Sequence, residues 1–135
     1  MTRADRALVL HASGSNCAQS VLEVFAADLG VDPGQAHRLT ACLGAGLGRR
    51  QLLCGAISGG ALALGAAFGS EDGSDLETKE LCYGIVWDYL RRLEESTPST
   101  ECRAILGVDI STAEGREKSA RLGLAAKMCN PLILK

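Results

Sequence analysis

The residues of this chain best suited to chemistry are its six cysteines, and Cys54 stands out among them by its neighbours. It is followed directly by Gly55, with Gly59 four residues later, where a helix is predicted to begin. The first turn of a helix exposes unpaired N–H groups and the positive end of the helix dipole, which lowers a cysteine pKa. Gly55 has no Cβ, so a second sulfur could come close. The pattern indicates reactive sulfur at Cys54.

A structural interpretation of the same residues is equally open. Gly55 and Gly59 lie on one face of a helix and could serve only to let two helices pack closely. Cys54 would then be a small residue of the core, as unreactive cysteines often are.

The other cysteines divide into two groups by their surroundings. Cys17 and Cys102 fall in the first turns of predicted helices, and Cys129 falls at the end of the last one. Cys42 and Cys82 lie within apolar patterns and are predicted to be buried small hydrophobic residues. The first group therefore contains the candidate partners of Cys54.

Composition narrows the class of function. A length of 135 residues predicts a single helical domain over 1–135, and a net charge of −2 without a basic stripe argues against nucleic-acid binding. The first residues do not resemble a secretory signal, so we expect a cytoplasmic protein. Thiols stay reduced in the cytosol, which favours redox or metal-binding roles over structural disulfides. His11 and His37 are far apart and no Cys-x-x-Cys pair occurs, which excludes a local zinc finger.

Hydrophobic periodicity predicts an all-α fold, a compact bundle of five or six helices with one small-residue helix at its centre. That helix runs from about Gln51 to Gly65 or Gly69, and a buried core helix is favoured over a membrane span because its stretch is only weakly apolar. Its small-residue face also makes a homodimer a reasonable expectation. Tyr83 and Trp87, on the next helix, are predicted to be packing anchors. The other helices are predicted from caps at Asn16 or Ser15, Asp32–Pro33, Ser74 and Ser111. Thr97–Pro98 is predicted to end the long helix and to allow a new start before a short helix that closes near Gly107.

The cysteine blocks together resemble the C_GCAxxG_C_C family of redox-active proteins over nearly the whole chain. The matching blocks are Asn16-Cys17-Ala18-Gln19, the glycine-rich lead from Gly44 to Arg49, the signature from Cys54 to Gly59, the block from Cys102 to Asp109, and Cys129. Four blocks in the right order are far more specific than any one of them.

The resemblance implies a helical domain in which Cys17, Cys54, Cys102 and Cys129 converge, together with a redox role without an established substrate or redox partner. Members are often encoded near transporter genes, which implies a functional link to a transporter. Leu52 and the next leucine make the approach to Cys54 more apolar than the family pattern, and this would raise the thiol pKa.

Two mechanisms follow for these four cysteines. In the leading one, Cys54 is the attacking thiol of a thiol-dependent oxidoreductase without a cofactor, and Cys17, Cys102 or Cys129 resolves the product as a disulfide. In the alternative, the same four thiolates bind zinc or an iron–sulfur cluster, since both suit sets of four sulfur ligands.

Overall fold

The computed structural model describes residues 2–97 and 99–122 of the chain. This part contains seven right-handed helices and one left-handed turn, α4, but no strand. In chain order the segments are α1 (Arg3–Ala12), α2 (Cys17–Ala26), α3 (Pro33–Leu39), α4 (Gly44–Leu47), α5 (Gly55–Phe68), α6 (Leu76–Ser96), α7 (Cys102–Leu106) and α8 (Ala113–Leu122). The all-α prediction is confirmed. The predicted end of the last helix, with Cys129, lies outside the described residues.

The helix that the sequence did not predict is α1. Its cap is a reciprocal pair in which the Asp5 amide donates to the Thr2 hydroxyl at 3.1 Å and the Thr2 amide donates to the Asp5 carboxylate at 2.9 Å. The pattern was missed because a capping box normally carries Glu or Gln at the position of Asp5. With α1 added, the helices exceed the predicted five or six by one.

Two predicted caps are confirmed and two move by one residue. Asn16 caps α2, and Asp32 caps α3 with proline in its first turn. Asp75 rather than Ser74 caps α6, because the Ser74 hydroxyl donates to the Asp72 carboxylate at 2.8 Å.

The start of α8 shows the same shift. The Gly115 amide donates to the Thr112 hydroxyl at 3.0 Å, while the Ser111 hydroxyl donates to Asp109. In both places an aspartate two positions earlier binds the serine, and the next residue becomes the cap.

Many residues of the core are small, and they let the helices approach closely. Helix α2 packs against α1, α3 and α5, and α5 also packs against α6. The backbones of α2 and α5 approach closely, since a Cβ at Gly59 would lie 2.7 Å from the carbonyl oxygen of Ala18. The main cluster of buried residues joins these helices to α7 through Ala7, Val24, Cys54, Ala56, Ile57, Leu93 and Ile105.

Much of the longest helix, α6, is exposed in the described part of the chain. Leu93 is its only buried residue, whereas Trp87 is 70% exposed and Leu81 is 56% exposed. The expectation that Tyr83 and Trp87 are packing anchors is therefore wrong. Among the described residues, the helix that packs most extensively against α6 is α5, whose end lies beside Cys82, Ile85 and Val86.

No helix within residues 2–97 and 99–122 combines the length and the hydropathy that crossing a membrane requires. The uncharged stretch after Leu52 is divided between an extended entry segment and the 14-residue helix α5.

Candidate functional site

Cys17 is the first residue of α2, and the cap before it fixes its position. The Gln19 amide donates to the Asn16 side chain at 2.8 Å, and the Asn16 amide donates back to Gln19 at 2.9 Å. The Asn16 side chain also donates to the carbonyls of Thr40 and Ala41, at 3.3 and 3.2 Å. These bonds tie the start of α2 to the segment that follows α3.

The Cys17 side chain lies against the first residue of α5. A Cβ at Gly55 would overlap the Cys17 sulfur, so the sulfur occupies space that only glycine leaves free. Cys17 is half-buried. The prediction that Gly55 admits a second sulfur is confirmed, and so is the packing role of Gly59 against α2.

Cys54 and Cys102 are brought together by a short antiparallel pairing. The Cys54 amide donates to the Thr100 carbonyl at 2.8 Å, and the Cys102 amide donates to the Leu52 carbonyl at 2.6 Å. An isolated β-bridge joins Leu53 to the residue before Cys102. Cys54 is consequently the N-cap residue of α5 and Cys102 the first residue of α7, with exposures of 4% and 6%.

The segment before Cys54 takes an unusual path. Ala45, Leu47, Arg49 and Gln51 have positive φ angles between 55° and 71°, although none of them is glycine. Such angles cost roughly 1–2 kcal/mol per residue for L-amino acids. A Cβ at Gly46 would lie 2.7 Å from the Gln51 Cα, so the turn folds tightly onto the entry to α5. Strain of this kind tends to collect at functional sites.

Gln51 holds this segment in place and was missed by the sequence analysis. It is 1% exposed; its side chain donates to the Val108 carbonyl at 2.7 Å and accepts from the Ile110 amide at 3.0 Å. A single uncharged polar residue between the glycine-rich loop and an apolar run was the signal that could have identified it. Gln51 joins the thiol site to the segment after α7.

The electrostatic environment of Cys54 opposes the thiolate. Burial raises the pKa of the Cys54 thiol, and the neighbouring Cys17 raises it further. The amides of Ala56 and Ile57 favour the thiolate, but neither makes a cap hydrogen bond to the sulfur. The expected lowering of the Cys54 pKa by the helix terminus is therefore wrong, because desolvation outweighs the helix field.

Cys102 responds to the same neighbours. Burial raises the pKa of the Cys102 thiol to about 11, with further contributions from Cys17 and Cys54, while the Gln51 side chain partly opposes the rise. Cys17, Cys54 and Cys102, three of the four predicted site cysteines, are therefore near enough to influence one another electrostatically.

Tyr89 of α6 is the second residue that sequence analysis did not assign to the site. Its hydroxyl donates to the Ile57 carbonyl at 3.2 Å and fills the space left by the missing side chain of Gly60. Burial, with a smaller effect from Cys54, raises the pKa of Tyr89 to about 12. The phenol is therefore a neutral neighbour of the thiol site.

The structure has no disulfide among the described cysteines. Within the same residues, no group of three or more His, Cys, Asp or Glu side chains is arranged to hold a metal ion. The described thiols alone thus do not fit a metal centre. Cys129, the fourth predicted ligand, lies outside the described residues, so the four-thiolate hypothesis stays a prediction.

Neither of the two remaining cysteines that the structure describes is buried. Cys42 is exposed, so the expectation that it is buried is wrong; α3 ends at Leu39, before that cysteine could reach the core. Cys82 is half-buried on α6, beside Phe68 and Tyr83.

Comparison with known proteins gives one match. Residues 15–135 match a family model described as "Putative redox-active protein (C_GCAxxG_C_C)". Searches of curated proteins and of solved structures found no match.

Proposed function

Because the chain belongs to the C_GCAxxG_C_C family of redox-active proteins, we propose that it carries out thiol–disulfide exchange with Cys17 and Cys54 as the reacting pair. The observation that carries this proposal is the contact of the Cys17 sulfur with Gly55, the residue next to Cys54. The Cys17 sulfur lies where a side chain at position 55 would be, next to Cys54 in the chain, and this proximity suits a reaction in which two sulfurs must bond.

Accessibility assigns the two roles. Cys17 is half-buried and can be reached by a reactant, whereas Cys54 is buried and its pKa is raised. A thiol that is shielded from solvent and mostly protonated is a poor first nucleophile. Cys17 is therefore the entering thiol and Cys54 the resolving thiol, the reverse of the order expected from the helix terminus alone.

The reaction balances with a disulfide RS–SR′ as the oxidant. The Cys17 thiolate attacks one sulfur, forms a mixed disulfide with RS and releases R′S⁻. Cys54 loses its proton and attacks the Cys17 sulfur, which forms the Cys17–Cys54 disulfide and releases RS⁻. The protein loses two electrons, the reactant disulfide gains them, and the protons of the two cysteines pass to the released thiolates.

Cys102 is a third thiol that could take part in the exchange after the first disulfide has formed. It lies beside Cys54 through the pairing of their backbones, and its high pKa keeps it protonated at neutral pH. In the proposal Cys102 loses its proton and attacks the Cys54 sulfur of the first disulfide, which forms a Cys54–Cys102 disulfide and releases the Cys17 thiolate, and the proton passes to Cys17. Cys129 remains the other predicted partner.

The test is oxidation of the reduced protein by oxidised glutathione under anaerobic conditions, followed by peptide mapping with mass spectrometry. We expect a Cys17–Cys54 disulfide in the wild type, and a stable glutathione adduct on Cys17 in Cys54→Ser. In Cys17→Ser, Cys54 should react slowly. Cys82→Ser, which removes a half-buried thiol outside the site, should behave as the wild type.

Two results would contradict the proposal. One is a Cys54 that reacts in Cys17→Ser as fast as Cys17 does in Cys54→Ser. The other is stoichiometric zinc or iron in the anaerobically purified protein that blocks oxidation, which would favour the metal-binding hypothesis for the same cysteines.

A further inference from the structure

A cavity of about 370 Å³ lies between α1, α2, α5 and α6, next to the thiol site. Ala7, Val24, Ile57, Ala63 and Leu93 are among the residues of its wall. Protein interiors rarely leave spaces larger than a water molecule. This space is in the size range of sites for small molecules, which are mostly apolar with a few polar groups.

The charge around the cavity restricts what could bind there. Arg3 is the only charged residue of its wall in the part of the chain that the structure describes. Its guanidinium already forms an ion pair with Asp28 and lies 5.2 Å from the centre of the Phe25 ring. An anionic ligand would meet the Asp28 carboxylate beside Arg3, and a cationic one would meet Arg3 itself.

The polar atoms of the inner wall are similarly engaged. The Tyr89 hydroxyl uses its proton in the hydrogen bond to the Ile57 carbonyl. A ligand with several donors or acceptors would bury them unpaired, which costs about 1–3 kcal/mol for each group. The exposed surface of the wall is mostly apolar, so an apolar ligand would displace water that this surface holds only weakly.

We propose that this cavity binds an uncharged, predominantly apolar small molecule. Its volume suits roughly 15–20 non-hydrogen atoms at the packing density of protein interiors. The ligand would contact Ile57 and Tyr89, the two residues that also border the Cys54 side of the thiol site. The proposal does not depend on the proposed thiol–disulfide exchange.

The test is a titration with N-phenyl-1-naphthylamine, an uncharged dye whose fluorescence rises in apolar surroundings. We expect saturable binding of one dye per chain. The anionic dye 1-anilinonaphthalene-8-sulfonate has the same rings with a sulfonate added, and should bind at least about tenfold more weakly.

A pair of variants on α5 locates the bound dye. Ala67 lines the cavity but is exposed, so Ala67→Trp should obstruct it without disturbing the core. Ala66 is exposed on the same helix and lines neither described cavity, which makes Ala66→Trp the matched control. Ala67→Trp should weaken dye binding at least about tenfold, and Ala66→Trp by less than about twofold.

Circular dichroism would establish that both variants fold. No saturable binding to the wild type, equal affinities in the two variants, or tighter binding of the sulfonate dye would each overturn the proposal. A change of sedimentation coefficient in Ala67→Trp with unaltered dye binding would overturn it too, and would instead make this wall a contact between copies of the chain.

Discussion

Gly55 is the residue whose missing side chain decides where Cys17 lies. Its replacement by alanine would place a Cβ on the Cys17 sulfur, so either α2 or the thiol must move. We expect Gly55→Ala to lower the free energy of unfolding by about 1–3 kcal/mol, as overpacking of a core does. It should also reduce the yield of the Cys17–Cys54 disulfide after oxidation, because the two thiols are pushed apart.

Gly65 supplies the control for this prediction, since it lies in the same helix and a Cβ there would meet no atom within 4 Å. Gly65→Ala should stabilise the protein by up to about 1 kcal/mol through helix propensity. Urea denaturation measures both variants. Equal effects of the two substitutions would show that the Cys17 contact does not constrain position 55.

The buried thiols also make stability depend on pH at the residue scale. Cys102 has an ordinary pKa of 9.0, which the fold raises to about 11, so the folded state holds this proton more strongly than the unfolded state. The contribution of this protonated thiol to the stability of the fold is fully present below about pH 9 and is lost as the pH rises toward 11. We therefore expect the urea midpoint to decrease as the pH rises from about 9 to about 11.

Cys102→Ser should flatten this pH dependence, whereas Cys42→Ser, which removes an exposed thiol, should leave it unchanged. A fall of the midpoint that is equally steep in Cys102→Ser would assign the effect to other groups. Tyr89, with a pKa of about 12, acts in the same direction but from a higher pH.

At the scale of elements, the thiol site depends on a pairing of about four residues rather than on a helix or sheet. Gln51 anchors it, because its side chain bonds both Val108 and Ile110 while its carbonyl accepts from the Arg103 amide at 3.1 Å. Gln51→Ala would leave two partly buried backbone groups, the Val108 carbonyl and the Ile110 amide, without these partners. We expect the free energy of unfolding to decrease by roughly 2–4 kcal/mol and the alkylation of Cys102 to become faster.

Gln35 is the matched position for that experiment, because it is exposed on α3 and its side chain makes no hydrogen bond to any described residue. Gln35→Ala should change the free energy of unfolding by less than about 0.5 kcal/mol. If Gln51→Ala altered stability without changing Cys102 alkylation, Gln51 would support the fold but would not position the thiol.

The same elements explain how far sequence reasoning could reach. Caps such as Asn16 and Asp32 act within four residues, so local patterns predicted them correctly. The prediction that Ser74 caps α6 failed because the Ser74 hydroxyl bonds Asp72 in a turn, and hydrophobic periodicity does not describe turns. The left-handed segment that includes Leu47 could not be predicted, since its residues adopt angles that their types disfavour. The pairing around Cys54 was too short to show alternation.

On the scale of the whole molecule, the two ends differ in how well they are packed. The thiol end gathers α2, the start of α5 and α7 around small residues. Gly55 and Gly59, whose face suggested a homodimer, are already covered by α2 of the same chain. Within residues 2–97 and 99–122, large apolar side chains are exposed at the other end, on α6 and the end of α5, where Phe68 is 49% exposed.

This distribution shifts the predicted homodimer to the α6 end of the molecule. Large apolar patches on a folded surface commonly mark interaction sites. Trp87 is the only tryptophan of the chain, so its emission reports directly on this surface. We expect its emission maximum to move to shorter wavelength as protein concentration rises, together with an increase in sedimentation coefficient.

Leu81→Glu should abolish both changes, and Glu94→Gln, an exposed position further along α6, should preserve them. A wild-type emission maximum and sedimentation coefficient that stay constant with concentration would contradict the homodimer.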